Sequence, residues 1–116
     1  MSLQDGYVTI TLAGRERTLK PTLNAITTLS RLHGGLAGLR TVVLNQDFDG
    51  LCNIIRYGCG MSDKDARALP EQLYATTISG ELIGQLFNFV MILGNGGRPL
   101  PTGDDEPVKE TAEGNA

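Results

Sequence analysis

Residues 79–94 read SGELIGQLFNFVMILG. From Leu82 to Leu93 the only polar side chains are Gln85 and Asn88, which sit three residues apart and therefore share one narrow strip of a helix. Ser79 is placed to cap that helix, and Glu81 falls in the first turn, where the helix dipole favours an acid. The glycines at 94, 96 and 97 end it. Twelve residues are too few to span a bilayer, which needs about 20. A helix apolar almost all round must lie at the centre of a core or inside an oligomer. Leu82, Ile83, Leu86, Phe87, Phe89, Val90 and Ile92 are accordingly the candidate partner-binding residues. If one side meets a partner, the expectation is that Phe89 or Ile92 heads it, flanked by Gln85 and Asn88. Phe89→Asp would then weaken association and leave the monomer folded; a Phe89 that is core would instead unfold the chain. Gly80 and Gly84, four apart, would let another helix approach closely.

Working outward, the chain opens on a different period. In YVTITL (7–12) Val8, Ile10 and Leu12 alternate with Tyr7, Thr9 and Thr11, the pattern of a half-buried strand. Residues 13–16 supply a turn with Gly14 available for positive φ, residues 17–20 return as a second strand, and Pro21 stops the ladder. A lone hairpin is marginal in water, so it must pack on something. Everything after Pro21 reads helical. Thr22 caps a first helix whose stripe draws on Leu23, Ala25, Ile26, Leu29 and Leu32, and His33-Gly34-Gly35 closes it. A second helix runs from about Leu36 to Leu44, with Leu36, Leu39, Val43 and Leu44 apolar. Asp47 caps a third over about 48–57, with Leu51, Cys52, Ile54, Ile55 and Cys59 toward the core. Ser62 and Asp65 have capping-box spacing. Pro70 suits the start of a helix that presents Leu73, Tyr74 and Ile78 on one face.

The fold class expected is mainly α: an N-terminal β-hairpin and a small bundle of about four to five helices, one domain over residues 1–98. Residues 99–116 are expected to be a disordered acidic tail. Three Tyr, three Phe and no Trp in 116 residues leave an aliphatic core. Residues 1–100 hold nine Lys and Arg against eight Asp and Glu, whereas residues 101–116 hold one Lys against five acids, so the formal charge of −3 belongs to the tail. A near-neutral body has no field to draw nucleic acid or an anionic membrane. The first dozen residues lack the basic run and apolar block of a signal peptide, so the expected location is intracellular, in the cytoplasm.

Convergent reactive groups are missing from the sequence. His33 is the only imidazole; a helix-end role, bonding the last carbonyls, suits it better than catalysis. Cys52 and Cys59 are seven apart, roughly 10 Å along one helix and too far for a disulfide; they read as buried thiols. A metal site would need further ligands. Asp47 and Asp49 lack the alternating oxygens of a calcium loop and read as helix-start charges. Residues 34–38, GGLAG, follow a helix and carry no Lys, unlike a phosphate loop. The basic residues stand singly, with no aromatic platform for single strands. The expectation is no catalytic, cofactor or metal site, no nucleic acid and no small-molecule substrate.

Residues 6–34 carry a resemblance. A short strand, a glycine turn, a second strand ending in Leu19, then Thr22-Leu23 and Ala25 opening a helix that ends in Gly34, with Gly14 and Leu29 in register, resembles the phage and gene-transfer-agent tail assembly chaperone family, some of whose members are described as tail tube proteins. The likeness extends over about residues 6–98; where members carry an acid near the end of the first helix, this chain has Ser30-Arg31-Leu32. The resemblance implies a non-catalytic chaperone that coats the long, apolar, helical tape measure protein during virion morphogenesis. It implies the tape measure protein as partner, the tail tube protein as a second one, and room for a homo-oligomer. The alternative is a structural tail component, a tube or joining subunit of a phage or prophage particle.

Overall fold

Val8–Leu12 forms strand β1 and Arg15–Leu19 forms β2, antiparallel, with Val8 opposite Leu19 and Leu12 opposite Arg15. This is a computed structural model, and it describes residues 6–100. The loop is tighter than the sequence suggested. Only Ala13 and Gly14 turn, both at positive φ (51° and 79°), so Arg15 and Glu16 belong to β2. Two consecutive left-handed residues match the twist of the strands they join. The turn is tied down from afar: Ala13 N–H donates to Thr76 Oγ1 at 2.7 Å.

Helices α1 (Leu23–His33), α2 (Gly35–Leu44) and α3 (Phe48–Cys59) follow, then the single turn α4 (Asp63–Ala66), α5 (Leu69–Ala75) and α6 (Gly80–Gly94). The mainly helical class with a leading hairpin is as expected. Thr22, Asp47, Ser62 and Ser79 each accept a hydrogen bond from the backbone N–H three residues on, at 3.0–3.3 Å. Each satisfies one amide that the helix cannot. Gly34, at φ 76°, closes α1 and opens α2 by itself.

The helices α3 and α6 organise the core. Helix α6 lies chiefly against α2 and β1, and α3 against α1, β2, α2 and α5. Lys20 N–H donates to Gly58 O at 2.8 Å, joining the end of β2 to the end of α3. The core is aliphatic apart from Phe89 and Cys52, and no polar or charged side chain among the described residues is fully buried.

Four assignments of apolar residues are corrected. Leu23 is 78% exposed and Leu32 50%, because α1 buries Ala25 and Leu29, which puts Leu23 on the opposite side of the helix. Leu44 is exposed at the end of α2, where Val42 joins Leu39 and Val43 inside instead. Tyr74 is 84% exposed; Leu73 alone of α5's candidates is buried, and Ile78 is half-buried. Two residues of the expected tail, 99 and 100, are among those described. Leu100 packs against the core, and Asn95 Nδ2 donates to Arg98 O at 3.1 Å and Pro99 O at 3.4 Å. The rest of the expected tail, 101–116, lies outside the described residues.

Candidate partner interface

The seven candidate residues of α6 divide by the side of the helix they occupy. Leu82, Leu86, Phe89, Val90 and Ile92 are buried, with Phe89 fully so, and Leu93 joins them. Ile83 and Phe87 are half-buried. The partner side expected around Phe89 and Ile92 is therefore the core side, and the outward side is a different one. The Phe89 ring reaches inward as far as Gly58 of α3: a Cβ there would meet the ring at 3.1 Å and Leu19 Cδ2 at 2.9 Å, so the bare glycine leaves room for both side chains.

The outward side of α6 shows Gly80, Ile83, Gly84, Phe87, Asn88 and Met91. Gly80, Gly84 and Asn88 are exposed, and the three apolar residues between them are half-buried. A Cβ at Gly80 or Gly84 would meet nothing within 4 Å. Between Leu82 and Gly97 there is no charged residue at all. A water-facing helix side ordinarily carries charges along its length; beyond Glu81 in the first turn, this one has small and apolar residues with one amide. Met91 was not among the candidates, since a helix apolar all round gives no phase by which to choose a side.

A second apolar feature escaped the sequence reading. Pro21, Thr22, Leu23, Ile26, Leu93, Gly96 and Gly97 line an open groove of about 300 Å³ where the start of α1 meets the end of α6. It exists because Leu23 faces out and because residues 95–97 turn back, Gly97 N–H donating to Ile92 O at 3.0 Å. No periodicity signals such a groove, which depends on two segments 70 residues apart.

His33 Nε2 lies 3.2 Å from Asn53 Nδ2, so it links α1 to α3 and does not bond the carbonyls at its own helix end. Arg56 pairs with Asp63 and stacks over Tyr57 at 5.1 Å. Among the described residues no three His, Cys, Asp or Glu gather as a metal site would need, and no helix is long and apolar enough to cross a membrane.

Cys52 is buried, and burial pushes its thiol up to about 11, with Asp49 adding repulsion. Cys59 is half-buried and also raised by burial, a shift that nearby Arg17 opposes. At pH 8 both are held as neutral thiols, the unreactive form. A disulfide reagent at that pH is expected to label the native protein slowly and to titrate two thiols at once in denaturant; rapid labelling of both in the native state would contradict this burial. A folded-state pKa above the unfolded value of 9.0 means that this contribution is intact below pH 9 and is lost as the pH rises toward 11.

No protein-family model, curated protein or solved structure matches the chain.

Proposed function

We propose that this protein is a non-catalytic tail assembly chaperone of a phage, prophage or gene transfer agent, holding the tape measure protein during tail morphogenesis. The observation that carries the reading is the outward side of α6, which presents Ile83, Phe87 and Met91 between glycines with no charge beyond Glu81 in the first turn. Such a surface suits the apolar side of a long helix. The glycines allow close backbone approach, and the apolar residues gain about 25 cal/mol for each Å² removed from water. The resemblance of residues 6–34 to tail assembly chaperones supports the same role. The groove at Leu23, Ile26 and Leu93 offers a second apolar contact. A tube or joining subunit is the less favoured alternative, because the described residues form one two-stranded sheet and a tube of paired sheets needs more strand.

Co-expression with a tape measure protein of a tailed phage or gene transfer agent tests the proposal. The expected result is a co-purifying complex and a several-fold rise in the soluble yield of the partner, both lost in Phe87→Asp. An unchanged yield with no complex would refute it. Mass spectrometry of purified particles addresses the alternative: a chaperone is absent from them, and a tail subunit is present in stoichiometric amount.

A further inference from the structure

The outward side of α6 has a geometry that suits a second copy of itself. We infer that two copies pair antiparallel through α6, each helix covering the other's outward side. The inference goes beyond the tape measure reading and holds whether or not that reading does.

The pattern along the helix gives the direction. The uncharged stretch is bounded by one acid, Glu81 at the N-terminal end, and one base, Arg98 just past the C-terminal end. Neither has an ion-pair partner among the described residues. The turn at 95–98 folds back, with Arg98 N–H donating to Asn95 O at 3.4 Å, so Arg98 stays near the height of the last helical turn. Antiparallel pairing about a two-fold axis between Phe87 and Asn88 brings Glu81 of each copy toward Arg98 of the other. Parallel pairing would set Glu81 against Glu81 and align the helix dipoles unfavourably.

Side-chain sizes agree with the same axis. It places Met91 of one copy over Gly84 of the other, twice, so the largest flexible residue of this side meets a position with open space above it. Gly80 then faces Asn95, and Phe87 faces Asn88. A two-fold interface must be self-complementary in this way. The other candidate cover, the chain's own segment 101–116, is a poor one: PTGDDEPVKETAEGNA has five acids and one aliphatic residue larger than Ala, Val108.

Fifteen residues of helix run only about 22 Å, so a single helix pair covers less than the roughly 800 Å² per partner of a standard stable interface. The dimer is therefore reversible, and α6 stays available to a client.

Light scattering of the full chain from micromolar to millimolar concentration tests the inference. The expected mass rises from monomer toward dimer with concentration and goes no higher. Gly84→Glu, at a position where an added Cβ meets nothing in the monomer, should melt no lower than the wild type and raise the dimer Kd at least tenfold. Glu81→Arg should raise Kd several-fold at low salt, and adding Arg98→Glu should restore it, because only antiparallel pairing opposes these two residues. A monomer at every concentration overturns the inference, including a monomer that still binds a client through this side. So does a dimer indifferent to Gly84→Glu. A charge reversal without loss and rescue overturns the antiparallel arrangement.

Discussion

Phe89→Asp is expected to abolish the cooperative thermal melt. Phe89 is fully buried in α6, with its ring beside Gly58 of α3, and it is the largest side chain in the core. Truncating such a residue to Ala costs about 3–5 kcal/mol, and a carboxylate left there has no buried polar partner, since the described core contains none. A domain is stable by roughly 5–15 kcal/mol in total, so the combined loss takes most or all of it. Circular dichroism should show loss of the helical signal at 25 °C or a melt without a cooperative step. Phe89→Leu, which keeps an apolar group, should retain a step at lower temperature. Phe87→Asp, two residues along and half-buried on the outward side, should lower the melt far less. A wild-type melt for Phe89→Asp would contradict the rotation of α6 described above.

Gly38→Ala should destabilise the protein by about 2 kcal/mol or more, against what helix propensity predicts. Gly38 lies inside α2, where Ala ordinarily gains about 1 kcal/mol over Gly. Its missing Cβ, however, is where the carbonyl of His33 passes: an added methyl would overlap the His33 oxygen and crowd its carbon at 2.7 Å. That carbonyl cannot easily retreat, because His33 is the last residue of α1, its side chain contacts Asn53 of α3, and the single residue Gly34 makes the corner. Overpacking of this kind costs about 1–3 kcal/mol, occasionally more. A chain of this size loses roughly 4–8 °C per kcal/mol, so a fall of about 10 °C is expected. Gly84→Ala is the control. It adds the same methyl to a helix but into open space, and should raise the melting temperature by about 5 °C. If both substitutions move stability the same way, the close approach of α1 and α2 is not what Gly38 serves.

The sequence by itself determined the kinds of element and four helix starts, though not the extent of the hairpin turn. Alternation in residues 7–12 made β1, and Thr22, Asp47, Ser62 and Ser79 marked four helix starts, because a cap acts on an amide three residues away and needs no tertiary partner. The central place of α6 was also legible, since a helix apolar all round cannot stay in water. Its rotation was not. Ile83 and Phe89 look alike in the sequence; the sheet lying on one side and α2 on another decide that Phe89 goes in while Ile83, Phe87 and Met91 border the solvent. The same holds for Leu23, which fits a 3/4 stripe with Ile26 but lies opposite the Ala25–Leu29 contact. His33 meets Asn53 twenty residues away, and Gly38 matters through a carbonyl on another helix. In each case the deciding neighbour is remote in sequence: local periodicity sets which residues share a side of a helix, and only packing sets which side is covered.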